Sequence, residues 1–406
     1  MHISMSRRQF LKSSALFSSI GLAPAFLTES VSAATMPING FKDDRVLVVV
    51  QLSGGNDGLN TVVPYSNDAY YRNRPEIGLK ENRLLKLNDD LAFNDSLKGL
   101  MSLYDDGKLG LIQNVGYPNP DRSHFRSMEI WHTASDSDAF VGSGWIGRYF
   151  DNTCSGTARP QAGVAIMNER PQAFDGERGF GVVFDRPERF GWREGKGGDT
   201  VDAFTKLNDS PKAGNPTLDF LQHTTSNAIM SSYEVREAAD RAGFKSPNRG
   251  KNDPLQTVAG LIKGDLATRI FYVSMGGYDT HAGQLGKHDN LLSQFSTSLA
   301  EFQATLEREG LADRVMTMVF SEFGRRVGQN ASGGTDHGTA APMFVIGSNV
   351  RPGIHGSMPD LLDLDGGDLK YKIDFRSVYA SLLEDWFETD SKAVLQEQFD
   401  TLPIIG

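Results

Sequence analysis

The chain has 406 residues and a formal net charge of −10 at pH 7, so its surface is acidic overall. Such a surface disfavours nucleic acids and anionic membranes as partners, because both carry negative charge themselves. The single cysteine, Cys154, excludes an internal disulfide, and a chain of this length can bury a large core instead.

The N-terminus has the features of an export signal. Ser6–Lys12 contains two adjacent arginines in a twin-arginine motif, and the apolar run Ala15–Phe26 follows it. That run is shorter than the ~20 residues that a membrane-spanning helix needs. Because Val31 and Ala33 provide small side chains before a cleavage site, we predict a signal peptide at residues 1–33. An anchor that is never cleaved is the alternative.

This segment also predicts the cellular location of the protein. We expect the protein to be periplasmic or secreted, with the twin-arginine translocase as its partner during export. No other apolar run is long enough to cross a bilayer, so no membrane span is expected after cleavage.

The first predicted strand, Arg45–Leu52, is almost continuously apolar, which is typical of a central parallel strand buried on both faces. It ends in Ser53–Gly58, where the glycines allow a sharp turn and the close approach of a ligand. Asp57 in this turn is a candidate metal ligand because it directly follows the strand. Asn56 is the alternative ligand, and a plain turn is the alternative without one.

A second strand is predicted at Lys108–Asn114, and a helix at Ser123–Thr133 follows it after a loop. Ser123 at the start of this helix can act as an N-cap. It can also act as a nucleophile, because the helix dipole and the unpaired backbone N–H groups favour an anionic substrate. The two roles do not exclude each other, and Arg122 and His124 crowd the same turn.

The middle of the chain is less regular. Cys154–Asp199 is rich in Gly, Pro and Arg, with short strand-like pieces at Val164–Met167 and Gly179–Phe184. We predict that residues 152–250, approximately, form a cap or insertion over the sheet. They are not expected to form a separate domain, so residues 34–406 are predicted to be a single domain.

The third strong strand, Arg269–Met275, repeats the pattern of the first, since glycines and then an acid follow it. Asp279 and His281 stand two residues apart, which places both side chains on one side of an extended loop. They are candidate metal ligands, and a solvated turn is the alternative.

The fourth strand, Arg314–Phe320, leads into a polar segment. Glu322 and Arg325 follow it directly and are candidate catalytic residues, the arginine because it can neutralise substrate oxygens. Asp336 and His337 come further along the same segment and are candidate metal ligands.

A fifth apolar segment, Met343–Gly347, precedes a loop in which His355 stands close to two glycines, and this histidine is a sixth candidate ligand. Strands alternate with helices throughout, which predicts an α/β three-layer sandwich with a mostly parallel central sheet. If all the strands are parallel, the residues that follow them meet at one edge. Mixed oxygen and nitrogen ligands suit Zn or Mn, as one ion or as two ions roughly 3.5–4 Å apart.

Three stretches carry a resemblance to a known family. Leu52–Pro64, Asp279–His281 and Ser321–Gly338 resemble the bacterial domain-of-unknown-function 1501 family, which in turn resembles the alkaline phosphatase and sulfatase superfamily. The resemblance implies an alkaline-phosphatase-like fold and an exported metal-dependent hydrolase of phosphate or sulfate esters, with Ser123 as nucleophile. It implies one ion on Asp279, His281 and His355, and a second on Asp57, Ser123, Asp336 and His337.

Two other functions fit the same sequence. One is a non-catalytic exported binding or assembly protein on the same fold, in which the insertion provides the binding surface. The other is a metal-free serine hydrolase that uses Ser123, although the chain has no Gly-x-Ser-x-Gly motif.

Overall fold

The computed structural model describes residues 41, 43–154, 159–177, 181–190, 216–243 and 253–406, with the backbone alone for 216–226. The predicted signal peptide, with its cleavage site after Ala33, lies outside the described residues. So does the stretch 191–215 of the predicted insertion.

Strands of the described chain form one large sheet and two small ones. In chain order the strands are β1 Val46–Ser53, β2 Val62–Val63, β3 Leu84–Lys86, β4 Ala92–Asn94, β5 Leu109–Gly116, β6 Gly163–Ile166, β7 Val182–Phe184, β8 Ile270–Gly276, β9 Val315–Phe320, β10 Ala341–Ile346, β11 Gly353–His355, β12 Leu364–Asp365, β13 Asp368–Leu369 and β14 Ile373–Asp374.

Helices connect most of these strands. The α-helices are α1 Gly58–Thr61, α2 Asp68–Asn73, α3 Lys98–Asp105, α4 His124–Thr133, α5 Trp145–Thr153, α6 Pro216–Arg241, α7 Pro254–Lys263, α8 Gln284–Arg308, α9 Phe375–Ser381 and α10 Ser391–Leu395. A π-helix, Leu382–Trp386, continues α9. None of the helices in the described ranges is long and apolar enough to span a lipid bilayer.

The central sheet has the strand order β11-β5-β10-β9-β1-β8-β6-β7, and β14 pairs with the end of β5. Every neighbouring pair in it is parallel except the two pairs that β10 makes with β9 and β5. The prediction of a mostly parallel sheet is therefore confirmed.

Alternation along β1 shows why the fold has three layers. Val46, Val48 and Val50 join the core that faces α3, α7 and α8, whereas Leu47 and Val49 join the core that faces α4, α5 and α9. Burial of each such side chain contributes about 1.5–3 kcal/mol relative to leaving it in water, so the strand is held from both sides.

One strand runs against the prediction. The sequence predicts that the fifth apolar segment points in the same direction as the other four, but β10 is antiparallel to both of its neighbours. The reason is the connection: a parallel neighbour needs a crossover, usually a helix, and residues 321–340 between β9 and β10 contain no helix. The chain therefore enters β10 from the edge at which β9 ended.

The predicted cap also needs correction over its described part. In place of a cover above the sheet, β6 and β7 are strands of the central sheet, and β6 pairs in parallel with β8. Val164 and Ala165 are fully buried, as expected for a sheet strand with helices on both sides.

Candidate metal centre

Loops that follow the parallel strands β1, β8 and β9 meet at the carboxyl edge of the sheet. Gly54, after β1, has a φ of +119°, and a Cβ on it would lie 2.4 Å from the backbone nitrogen of Asp279, after β8. Its N–H donates to Glu322 Oε1, after β9, at 2.8 Å. Only glycine allows the first two loops to come this close.

Asp279 Oδ1 is the point on which three imidazoles converge. It lies 3.0 Å from His281 Nε2 and 3.2 Å from His337 Nε2. His124 Nε2, from the start of α4, lies 3.6 Å away, which is too far for a hydrogen bond. Oxygen and nitrogen donors of this kind suit Zn or Mn.

The opposite ring nitrogen of each histidine has its own partner. His124 Nδ1 lies 2.8 Å from Glu322 Oε1, and His337 Nδ1 lies 2.8 Å from the backbone oxygen of Arg122. An ionised carboxylate and a carbonyl can only accept hydrogen bonds, so both Nδ1 atoms carry protons. In the neutral rings both Nε2 atoms therefore present lone pairs.

His281 follows the same rule. Its Nδ1 lies 3.2 Å from Asp336 Oδ1, which also accepts a hydrogen bond from Asn330 Nδ2 at 3.1 Å. The predicted ligand Asp336 thus stands behind His281 and orients it. As a result, His281 Nε2 points to Asp279 Oδ1 and His337 Nε2, at 3.0 and 2.9 Å.

Facing lone pairs are the evidence that a cation fits here. His281 Nε2 and His337 Nε2 are 2.9 Å apart, and neither neutral ring has a proton left to share at that atom. His124 Nε2 is buried and has no hydrogen-bond partner among the residues that the structure describes. A divalent cation bound here would be held by His124, Asp279 and His337, whose ligand atoms lie within 4.8 Å of one another, with His281 Nε2 at 3.0 Å from Asp279 Oδ1. The residues present therefore fit the kind of metal that the sequence predicts.

Neighbouring charges set the ionisation of the group. Burial opposes the charge of Asp279, but hydrogen bonding and attraction from Arg325 prevail, and the pKa of Asp279 falls to about 2. The hydrogen bond that His124 donates to Glu322 raises the pKa of His124, although burial works against this. Asp279 therefore carries its negative charge at neutral pH, and a proton competes with a metal ion for His124.

Glu322 and Arg325 do not hold the catalytic positions predicted for them. The side chain of Glu322 is 1% exposed and that of Arg325 is fully buried. Arg325 donates to the backbone oxygens of Gly55 at 2.6 Å and Thr335 at 2.8 Å, and to Asp279 Oδ1 at 2.6 Å. With its donors used in this way, it joins three loops and has no exposed group to offer a substrate.

Asp57 and Asn56 are not brought to the group either. Asp57 forms a fully buried ion pair with Arg74 at 2.6 Å and accepts from Gln284 Nε2 at 2.5 Å. Burial opposes its charge, but Arg74 outweighs burial and keeps the pKa of Asp57 below its usual value. Asn56 Oδ1 lies 2.8 Å from His288 Nε2 on α8. The strand-end acid is thus part of the packing beneath the site.

His355 lies elsewhere in the sheet. It pairs with Ile112 in the middle of β5, and its Nε2 lies 2.8 Å from the backbone oxygen of Arg351. Because β10 is antiparallel, the chain leaves it at the opposite edge, and β11 starts again from there. The prediction that His355 joins the other ligands is therefore wrong.

Ser123 is the N-cap residue of α4, as predicted, and its side chain is exposed and makes no capping hydrogen bond. Its backbone N–H donates to Asp121 Oδ1 at 2.7 Å. His124 follows it directly, and sequence reasoning noted this residue without proposing it as a ligand. Its position at a helix start after a strand end was the available signal.

A cleft of about 880 Å³ lies beside the candidate centre. It shares three residues with the surroundings of the centre, since Arg122, Glu322 and Phe323 line it. The ring of Phe323 stands 4.9 Å from those of both His124 and His337. A molecule with one group at the centre would therefore have room in this cleft for the rest of its atoms.

Comparison with known proteins gives a family and distant structural likenesses. The sequence model of the family described as "Protein of unknown function (DUF1501)" matches residues 44–385. No curated protein matches the chain.

Several solved structures are similar over much of their length. One is Ps i-CgsB in complex with k-i-k-neocarrahexaose, with 8% identity over 88% of this chain and 73% of that one and a TM-score of 0.38. Another is a protein in the alkaline phosphatase superfamily from Vibrio parahaemolyticus, with 11% identity over 80% and 65% and a TM-score of 0.36. A third is the alkaline phosphatase from the Antarctic bacterium TAB5, with 12% identity over 76% and 94% and a TM-score of 0.32. Identities and TM-scores this low do not indicate a reaction, so the chemistry of the site is inferred from the residues of this chain.

Proposed function

This chain belongs to the DUF1501 family of proteins of unknown function, and on that premise we propose that it is an exported metal-dependent hydrolase of phosphate or sulfate esters. One observation carries the proposal. Each of His124, His281 and His337 has its Nδ1 held by an oxygen acceptor, so that three Nε2 lone pairs face Asp279.

The four residues of this group, His124, His281, His337 and Asp279, would hold one Zn or Mn ion. When bound, such an ion polarises an ester oxygen and lowers the pKa of water. One ion is enough for the proposal, because the possible ligands that lie within 4.8 Å of one another in the described chain are His124, Asp279 and His337, and His281 adjoins them through Asp279 at 3.0 Å.

Ser123 is the proposed nucleophile. Its exposed side chain stands one residue before His124 and is not engaged in capping. In the proposed reaction Ser123 Oγ forms a new ester bond to phosphorus or sulfur while the substrate's alcohol leaves, and water then hydrolyses that bond. Arg122, which lines the adjoining cleft, is placed to interact with charge on the substrate oxygens.

Elemental analysis and turnover test this function together. We expect about one transition-metal ion per chain in protein purified without chelators. His337→Ala should lose the ion and the hydrolysis of aryl phosphates or sulfates, whereas Ser123→Ala should lose hydrolysis and keep the ion. His355→Ala is the matched control, because it removes a histidine distant from the centre.

Protein without a bound transition metal, or with hydrolysis that survives His337→Ala, would contradict the proposal. Metal without turnover of any ester in a broad panel would favour the non-catalytic binding protein instead. The export component is tested by fractionating cells that express the chain with Arg7 and Arg8 both replaced by Lys, which should keep the protein inside the cytoplasm.

A further inference from the structure

The cleft beside the candidate centre has an unusual charge arrangement for an acidic chain. The charged residues that line it are Arg122, Glu322, Arg326, Asp365, Asp368, Lys370 and Lys372. Four of these are cations and three are carboxylates, in a protein with a net charge of −10. Two of the carboxylates, Glu322 and Asp368, are almost fully buried, whereas Arg122, Arg326 and Lys370 are exposed, so the accessible charge of the cleft favours an anionic ligand.

Two arginines share one carboxylate in this cleft. Arg122 Nη1 lies 3.2 Å from Asp368 Oδ2, and Arg326 Nε lies 3.8 Å from Asp368 Oδ1. Both guanidinium groups are partly exposed and line the cleft, so N–H donors of each are accessible to a ligand there. Those donors suit the oxygens of a planar carboxylate or of a tetrahedral phosphate or sulfate.

Asp368 supplies the complementary feature. Its side chain is only 7% exposed, and its Oδ1 has no hydrogen-bond partner within the described part of the chain. A buried acceptor of this kind costs free energy until it receives a donor. A hydroxyl group of a ligand in the cleft can donate to it, whereas an anion with no hydrogen to give cannot.

Aromatic rings complete the lining. Tyr117 and Tyr371 contribute apolar faces together with hydroxyl groups. The volume of about 880 Å³ far exceeds the space that one phosphate or sulfate group would fill, and lies in the range of pockets that enclose whole organic ligands.

We propose that this cleft binds the non-reacting part of the substrate, and that this part is an acidic carbohydrate. An anionic substituent of the sugar contacts Arg122 and Arg326, and a sugar hydroxyl donates to Asp368 Oδ1. That the ligand of the cleft is a substrate rests on the proposed function. Its binding in the cleft requires neither a metal ion nor turnover.

Binding is therefore measured on metal-free protein by calorimetry, with three probes: a sulfated disaccharide, its unsulfated parent, and inorganic sulfate. The sulfated disaccharide should bind at least about ten-fold more tightly than either of the others, since only it satisfies both the arginines and Asp368. Equal binding of inorganic sulfate would overturn the role of the sugar. Equal binding of the unsulfated parent would overturn the role of the anion.

Substitutions in the cleft test which residues contact the ligand. Arg326→Gln should weaken the sulfated disaccharide about ten-fold and abolish the advantage of sulfation, whereas Asp368→Asn should reduce the advantage of the disaccharide over inorganic sulfate. Lys263→Gln is the matched control, because it removes the same charge from a distant surface ion pair with Glu309. Circular dichroism shows whether each variant is folded, and Arg326 is exposed enough to be replaced without loss of core.

The two proposals fail separately. Selective binding in a protein that contains no metal and hydrolyses nothing would sink the hydrolase and leave the cleft assignment in place. Hydrolysis of small aryl esters by a protein that shows no preference among the three probes would do the reverse.

Discussion

At the scale of single residues, the two nitrogens of each imidazole have different tasks. In His124 the Nδ1–H donates a hydrogen bond to Glu322, and this fixes the tautomer that leaves Nε2 as a ligand. His337 obtains the same result from the backbone oxygen of Arg122, and His281 from Asp336. Glu322 and Asp336, which the sequence offered as a catalyst and a ligand, are therefore orienting partners.

Glu322→Gln tests this division of tasks. The amide is similar in shape but lacks the charge that makes His124 a stronger ligand, so we expect metal affinity to fall about 10–100-fold. Competition with a chromophoric chelator at fixed pH measures the affinity. Glu301→Gln, on the exposed side of α8, is the control and should bind as the parent does. An unchanged affinity in Glu322→Gln would show that the carboxylate does not support His124.

His132 gives a pH-dependent stability that does not involve the centre. Burial lowers the pKa of His132 to about 4, and its Nε2 lies 3.0 Å from the hydroxyl of Tyr272. The unfolded chain takes up this proton near pH 6.5 and the folded chain only near pH 4. Stability is therefore lost as the pH falls through this window, by roughly 3 kcal/mol from this residue.

Urea denaturation at pH 7 and at pH 4.5 checks this expectation. The variant His132→Gln should lose less stability between the two pH values than the parent protein, because it has no proton to take up on unfolding. An equal loss in both proteins would mean that other groups dominate the acid response.

At the scale of elements, loops after neighbouring parallel strands build the candidate centre. β8, β1 and β9 lie side by side in that order, and their loops carry Asp279, Gly54 and Glu322. Arg325 then joins the loops through backbone oxygens. The helix α4, which follows β5 in the chain, brings His124, so four segments meet where the strands end.

Gly54→Ala should disturb the contact between the loops that follow β1 and β8. The added Cβ would lie 2.4 Å from the backbone nitrogen of Asp279, and the φ of +119° is strained for alanine. We expect a loss of about 1–3 kcal/mol in the free energy of unfolding and a reduced metal content. Gly286→Ala is the control. No described atom outside its own helix turn lies within 4 Å of the Cβ that alanine would add there, and alanine favours the helix α8. A Gly54→Ala protein as stable and as metal-loaded as the control would contradict the close approach.

At the scale of the whole molecule, a buried polar network connects the sheet edge to the helices beneath the centre. Gln284, the first residue of α8, accepts from Thr280 Oγ1 at 3.1 Å and from Thr335 Oγ1 at 2.7 Å, and donates to Asp57. Thr280 and Thr335 are next to ligand or orienting residues. The Asp57–Arg74 ion pair thus anchors the loops without reaching the centre itself.

Arg74→Met is expected to destabilise the protein by about 3–5 kcal/mol, because it leaves the charge of Asp57 buried and unpaired. The double variant Asp57→Asn/Arg74→Met should recover part of that loss, since no lone charge remains. Denaturation curves of both variants measure the difference. If Arg74→Met were within about 1 kcal/mol of the parent, the buried pair would not have the anchoring role described here.

Much of this arrangement can be predicted from the chain. Apolar segments ending in glycines and acids predict buried parallel strands and loops at one edge, and Asp279, His281 and His337 do lie together. The fold class and the family are confirmed. His124 was within reach of the same reasoning, since it follows the end of β5 by one loop.

What the sequence alone determined is which polar residues follow buried strands, because burial of a strand requires a continuous apolar run. Only the tertiary structure decided which of those residues face a metal and which stand behind it. The choice depends on strand direction, which placed His355 beside the middle of β5, and on burial, which turned Asp57, Glu322 and Arg325 inward. Burial is set by contacts between segments far apart in the chain, and the direction of β10 follows from a connection without a helix, so the apolar pattern of the strands alone encodes neither.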